Sequence, residues 1–197
     1  MSFSPDGQMI ATAYNDGNIK LWSPDGQVKT LEEQKHEGAA NSVNFSPNGQ
    51  TIASADDKGI VKLWSRDGQL VNTFQAHNSS INDVRFSMDS QIIATASNDG
   101  NVKLWSLGGQ LRATLPSLDG LVNNVSFSPD GKTIAAATKK GTIVLWNIDL
   151  DYLLAISCDR VRDYLQNNPN VSDGDRLLCE GIGELEKDGE NHSIINN

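Results

Sequence analysis

Residues 81–115, INDVRFSMDSQIIATASNDGNVKLWSLGGQLRATL, decide how the rest of the chain is read. Four short runs rich in β-branched and aromatic residues, Ile81–Ser87, Gln91–Ala96, Asn101–Ser106 and Gln110–Leu115, are cut by turn residues. Asn98-Asp99-Gly100 separates the second run from the third, and Met88-Asp89-Ser90 separates the first from the second. Asn and Gly accept the positive φ of tight hairpin turns, so the segment reads as four antiparallel strands. Val102, Leu104 and Trp105 make the third strand apolar on both sides. That pattern suits a sheet packed between two others.

The same unit recurs along the chain. Phe-Ser pairs begin at Phe3, Phe45, Phe86 and Phe127, and tryptophans stand at Trp22, Trp64, Trp105 and Trp146, both series stepping by 42, 41 and 41 residues. In the other units Pro-Asp-Gly or Pro-Asn-Gly replaces Met88-Asp89-Ser90. Four strands per unit of about 40 residues describe a propeller blade. The units resemble WD repeats over residues 1–148, although Ser23, Ser65, Ser106 and Asn147 follow the tryptophans where the family often has Asp. The fold class expected is all-β, a partial propeller of four WD-type blades with a short α-helical C-terminal extension.

The resemblance implies a four-residue hydrogen-bond network in each blade, joining a His, a Ser or Thr, an Asp and the Trp. The third unit has all four, as His77, Thr95, Asp99 and Trp105. The second has His36, Ser54 and Trp64, with Lys58 at the Asp position. The first keeps Thr12, Asp16 and Trp22. The fourth keeps Trp146 alone, with Leu118, Ala136 and Lys140 at the other places. Repeat spacing makes His36 and His77 structural residues in preference to metal ligands or bases.

Blades are expected at about 1–40, 41–81, 82–122 and 123–148, followed by a helical extension over 149–183 and a mobile acidic tail over 184–197. Met1 falls where Val43 sits in the second unit, and no fourth strand is recognisable after Trp146. WD propellers usually have seven blades, so ring closure is an open question with three answers. Two chains could pair as an eight-bladed homodimer, a second polypeptide could supply the missing blades, or the chain could be a truncated or split-gene fragment without independent function.

Leu150, Leu153, Leu154, Cys158, Val161, Tyr164 and Leu165 recur at intervals of three and four, predicting an amphipathic helix that Pro169 stops. A second short helix is expected from Ser172, through Leu177 and Leu178, to Gly181 and Gly183. The helical pair is expected to dock on the fourth blade. Cys158 and Cys179 are the two cysteines, too few for a disulfide framework, and separate thiols in a reducing cytoplasm are expected. The segment LLAISCDRVRDYLQNNPNVSDGDRLLCEGI also resembles the terminal extension of bacterial WD-repeat proteins, in which the propeller is often the sensor half of a signalling ATPase.

Net charge is −9, and residues 149–197 carry most of it, with 4 basic against 11 acidic side chains. No basic patch suits nucleic acid, and no run of eighteen apolar residues suits a membrane. No phosphate-binding loop, nucleophile elbow or metal motif is present, so no cofactor and no enzymatic activity are expected. A propeller enzyme would need polar residues converging on the central channel, where the strands carry mostly small apolar or Ser and Asn residues. The function expected is a protein-interaction scaffold or sensor, part of a bacterial regulatory assembly. Its binding face would carry Asn15, Glu37, Asp57, Lys58, Asn78, Ser79, Asn98, Lys139 and Lys140, from the loops entering the blades and the turns between second and third strands.

Overall fold

Each unit begins with a Ser-x-Asp or Ser-x-Asn turn that holds two strands in register through one hydroxyl. In the second unit Ser46 Oγ donates to Asn48 Oδ1 at 2.7 Å and accepts from the Thr51 amide at 3.0 Å. Ser4, Ser87 and Ser128 make the same pair of bonds with Asp6, Asp89 and Asp130 and with the strand amides that follow. Hydrogen bonds from Ser4 and from the Gln8 amide bring the Asp6 carboxyl down to about 2. These local bonds occupy the side chains most able to compete with a strand, and the chain turns where they stand.

The computed structural model describes residues 1–32, 34–117 and 120–168, together with Val171, Ser172, Gly174 and Cys179. Strands β1 (Ser2–Phe3), β2 (Ile10–Ala13), β3 (Ile19–Trp22) and β4 (Val28–Thr30) form the first antiparallel sheet in sequence order. The second holds β5 (Ala40–Phe45), β6 (Thr51–Asp56), β7 (Ile60–Ser65) and β8 (Leu70–Gln75). The third holds β9 (Ile81–Phe86), β10 (Ile92–Ser97), β11 (Asn101–Ser106) and β12 (Leu111–Pro116). The fourth has three strands, β13 (Val122–Phe127), β14 (Thr133–Thr138) and β15 (Ile143–Asn147), before helix α1 (Leu150–Asn167).

Successive sheets stack face to face, and the core lies in the seams between them. Ala11, Ile19, Leu21 and Leu31 of the first blade meet Val43, Phe45, Ile52 and Trp64 of the second. Ala53, Ala55, Val61 and Leu63 meet Ile81, Val84, Phe86, Ile93 and Trp105 at the next seam. Ala94, Ala96, Val102 and Leu104 meet Val122, Val125, Ile134 and Ala136 at the third, with Phe127 and Trp146 alongside. Val102 and Trp105 thus serve different seams from one strand, as period-two alternation requires.

Polar side chains on the inner strands stitch the seams. Ser2 Oγ accepts from the Phe45 amide at 3.1 Å, and Asn44 Oδ1 accepts from the Phe86 amide at 3.3 Å. Asp83 ties three blades, accepting from Ser42 Oγ at 2.9 Å and from the Val125 amide at 3.3 Å. Ser90 adopts φ +62° where the other units have glycine. Its hydroxyl accepts from the Asn48 amide of the neighbouring blade at 3.1 Å, a bond that offsets the roughly 1 kcal/mol penalty of a left-handed non-glycine residue.

One expectation about the C-terminal extension is corrected, that of separate thiols. Along α1, Leu150, Leu153, Leu154, Val161 and Tyr164 are exposed, whereas Leu165 is half-buried and Cys158 is buried. Blade four meets the start of the helix through the Lys132–Asp149 ion pair, 2.6 Å, and the bond from the Ile148 amide to the Lys132 carbonyl, 2.8 Å. Cys158 and Cys179 are not separate thiols but a disulfide, with Cα atoms 5.5 Å apart and both residues buried. Two thiols brought this close shield each other from solvent once joined, a relation that spacing alone does not reveal. Most of the expected second helix and all of the acidic tail lie outside the described residues, as does Leu118.

Gly59 and Gly100 hold equivalent turn positions at φ +82° and +85°, yet they differ in surroundings. A Cβ on Gly59 would stand 2.0 Å from the His77 carbonyl oxygen, whereas one on Gly100 would meet nothing nearer than the Gly120 carbonyl oxygen at 3.4 Å. Gly100→Ala is therefore expected to cost about 1 kcal/mol from backbone strain alone. Gly59→Ala should cost about 3 kcal/mol or more, because the second and third blades must also shift apart. Chemical denaturation of the two variants checks the ranking; equal losses would contradict it.

Candidate functional site

The polar groups buried deepest in the second and third blades converge on a single hydroxyl. In the third blade the Trp105 indole donates to Thr95 Oγ1 at 3.0 Å, and His77 Nε2 lies 2.7 Å from the same oxygen. His77 Nδ1 lies 2.7 Å from Asp99 Oδ2. In the second blade the Trp64 indole donates to Ser54 Oγ at 2.9 Å, with His36 Nε2 at 2.7 Å. His36, Ser54, His77 and Thr95 are all 1% exposed or less, so none of these bonds is replaced by water.

Burial pushes both imidazoles below their ordinary value, against the pull of Asp56 and of Asp99. They are neutral at pH 7, and the rest of the proton arrangement follows. The indole occupies a lone pair of the hydroxyl, the hydroxyl donates to Nε2, and Nδ1–H donates to the carboxylate. Each donor has one acceptor, the condition for burying polar groups without penalty.

Lys58 occupies the sequence position of the acid in the second blade, but the acid is not missing. Asp56, at the end of β6, takes the role with Oδ2 at 2.9 Å from His36 Nδ1. Its other oxygen accepts from the amides of Lys58 at 3.0 Å and Ile60 at 2.8 Å, so it closes the turn as well. Asp56 stands two residues before the Asp99-equivalent position, where the third blade has Ser97. A search for any carboxylate within the turn, instead of one at a fixed offset, would have found it.

The end blades carry less of the network. Trp22 donates to Thr12 Oγ1 at 2.8 Å, and Asp16 turns away to the Asn18 amide and side chain. In the fourth blade Ala136 stands under Trp146 where a hydroxyl would be, and Lys140 is exposed.

The residues read as a binding face lie along one rim. Bonds from the Asp57 amide to the Ala39 carbonyl, Asn98 to Ser80 and Lys139 to Leu121 hold each second-to-third-strand turn beside the loop entering its blade. Asn15, Glu37, Asp57, Lys58, Asn78, Lys139 and Lys140 are exposed there, and Ser79 and Asn98 are half-buried. Asn98 Oδ1 accepts from Asn82 Nδ2 at 2.7 Å, which ties it to the inner strand. The central channel holds an ion pair that the sequence reading passed over, between Asp83 Oδ2 and Arg85 Nε, 3.1 Å apart on β9. On the opposite side a groove of about 620 Å³ runs between the first two blades, lined by Met9, Trp22, Lys29 and Arg66 among others. Among the described residues no three His, Cys, Asp or Glu side chains come together to hold a metal.

The family pattern described as WD domain, G-beta repeat matches residues 1–23, 26–65, 68–106 and 109–147. The chain belongs to the WD-repeat family. No curated protein matches it significantly. WD-repeat domains generally act as scaffolds for protein–protein interaction and not as enzymes. No described helix is long and apolar enough to cross a membrane.

Asp56→Ala leaves the His36 Nδ1–H and two turn amides without their acceptor, and is expected to cost about 2–4 kcal/mol. Lys58→Ala, at the family's acid position, should stay within about 0.5 kcal/mol. Urea titrations of the two proteins check the assignment, which fails if Lys58 proves the more costly.

The buried histidines also set a pH dependence. Their folded pKa lies below the unfolded value of about 6.5, so the unfolded chain takes up protons first. The stability they contribute is full above that value and is lost as pH falls from there toward their folded pKa. The denaturation midpoint should therefore fall between neutral and mildly acidic pH. Imidazole NMR signals of His36 and His77 should not titrate at 6.5 in the folded protein; titration at or above that value would overturn the neutral assignment.

Proposed function

We propose that this chain is a protein-interaction module of a bacterial regulatory assembly, holding a protein partner on the rim that carries Glu37, Asp57, Lys58, Asn78, Lys139 and Lys140. One observation carries the reading: backbone bonds from Asp57, Asn98 and Lys139 fix these turns beside the loops entering their blades, so the rim is presented without reorganisation. Asn15, Ser79 and Asn98 complete the same surface. Its charge is uneven, with Glu37 and Asp57 near the second blade and Lys139 and Lys140 on the fourth. That pattern favours a partner with an acidic patch facing the fourth blade. The regulatory role is supported by the likeness of the C-terminal segment to the extension of bacterial WD-repeat signalling proteins.

No catalytic role is assigned. Asp83, paired with the partly exposed Arg85, is occupied in stitching blades together through Ser42 and the Val125 amide. A cytoplasmic location belongs to this reading, with the Cys158–Cys179 pair as its point of tension, because disulfides persist chiefly in oxidising compartments.

The test is a triple charge reversal on the rim, Lys58→Glu, Lys139→Glu and Lys140→Glu, against a control on the opposite side at Lys29. Stoichiometric capture from the native host, followed by titration of the purified partner, measures the effect. The rim variant is expected to bind at least roughly 10-fold more weakly, with most of the change in association rate at low salt. Unchanged binding by the rim variant, with loss in the Lys29 control, would move the function to the other face.

A further inference from the structure

Both cysteines of the sequence stand outside the repeats, and the structure joins them to each other. Cys158 lies midway along α1, and Cys179 faces it across the bond with the two Cα atoms 5.5 Å apart. The blades hold no cysteine, so thiol chemistry in this chain is confined to the extension. With no third thiol in the sequence, oxidation within the chain has one product, the pair itself.

The bond sits where it can open without disturbing the propeller. Cys158 and Cys179 are 6% and 8% exposed, but that burial ends within one turn of the helix. Leu154 and Val161, four residues before Cys158 and three after it, share its face and are 41% and 42% exposed. The sulfurs are therefore one helical turn from solvent, within reach of a small thiol after a local opening. No described residue of α1 belongs to the three apolar seams. The ion pair and backbone bond that seat the helix on blade four are at Asp149 and Ile148, roughly 14 Å back along the helix from Cys158.

We propose that Cys158 and Cys179 form a reversible thiol–disulfide site, opened by a dithiol reductant and closed by the reverse exchange with a disulfide oxidant. A thiolate of the reductant attacks one sulfur of the pair, the S–S bond breaks, and the other sulfur leaves as a thiolate that takes up a proton. The reductant's second thiolate then attacks the mixed disulfide and releases the second cysteine. Two electrons and two protons pass from the dithiol, which becomes a disulfide, to the cysteine pair. Closed, the bond fixes residue 179 beside the middle of α1. Open, the covalent tether between the two cysteines is the intervening chain, whose separation of 21 residues spans at most roughly 70 Å when extended. Glu180, Glu184, Glu186, Asp188 and Glu190 follow directly, so the site sets how closely a concentrated negative charge is held to the helix. The inference goes beyond the rim as a binding surface and does not depend on it. It also reconciles the bond with a reducing compartment, where the thiols prevail until an oxidant closes them.

The test equilibrates the full chain, without denaturant, in mixtures of reduced and oxidised dithiothreitol, then traps free thiols by alkylation and counts them by mass. Two thiols should appear together and disappear together when the mixture is made oxidising again. The fluorescence of Trp22, Trp64, Trp105 and Trp146, all of them in the blades, should hold constant through that transition. Trypsin reads the extension: cleavage at Arg176, inside the closed loop, should be at least roughly 10-fold faster in the reduced chain, because the bond restrains local opening. The double variant Cys158→Ser, Cys179→Ser should show the fast cleavage in both mixtures, with the tryptophan signal confirming that its blades are folded. Thiols that appear only as the tryptophans report unfolding would overturn the proposal and make the bond a fixed structural one. Cleavage at Arg176 unaltered by reduction, or a chain that keeps two free thiols under oxidising conditions, would overturn it as well. Reversible opening in rim variants that bind no partner would uphold it while removing the function proposed above.

Discussion

A sheet with apolar side chains on both faces cannot bury either face by itself, and every blade of this chain is such a sheet. Its strands place Val61 and Leu63 on one side and Trp64 on the other, so each blade needs a neighbour in both directions. Core formation is therefore a property of seams and not of blades. The alanines of one blade provide the depth into which the aromatic residues of the next descend, and this large-to-small pairing keeps the register constant from seam to seam. Stability then accumulates by nearest neighbours, and the second and third blades, closed on both sides, hold the deepest side chains.

Close stacking creates the problem that the polar network solves. A tryptophan that fills a seam carries an indole N–H out of reach of water, and the adjoining loop brings in a histidine with two ring nitrogens. Leaving any of these unpaired would cost about 1–3 kcal/mol each. One hydroxyl, Ser54 or Thr95, serves indole and imidazole together, and a carboxylate takes the remaining imidazole proton. The carboxylate needs only to reach the imidazole. It does so from the turn in Asp99 and from the strand end in Asp56. In the first blade, whose histidine position would precede Met1, Asp16 accepts from the Asn18 amide within its own turn.

The architecture was legible because it rests on spacing. The phenylalanine and tryptophan periods place the first and third strands of all four blades, and the alternation around Val102 and Trp105 states which side faces which neighbour. Turn chemistry was legible for the same reason, as short side chains bond within two to five residues of themselves. Interactions that depend on reach were not legible. Asp56 replaces Lys58 by a two-residue shift that a fixed offset skips. The disulfide joins Cys158 to Cys179, 21 residues apart, and neither spacing nor composition reports that pairing. The helical period of residues 150–165 was correct, but period names a stripe and not its partner. Here Cys158 is buried in the disulfide while Leu150, Leu153, Leu154, Val161 and Tyr164 of the same stripe are exposed.

Moving the structural acid from the turn to the strand also changes what the second blade can offer outside. In the third blade the turn residue Asp99 is held by His77 and by the Asn101 amide, so that turn is committed to the network. In the second blade Asp56 carries out both tasks from a position 1% exposed, and the tip of the turn, Asp57-Lys58, is released from them. A loop tip with no structural duty can vary in charge without loss of stability, while the backbone beneath it stays fixed by the Asp56 bonds to the Lys58 and Ile60 amides. Rigidity and variability are thereby separated within three residues. That separation lets a repeat whose interior is nearly constant carry a rim that differs from blade to blade.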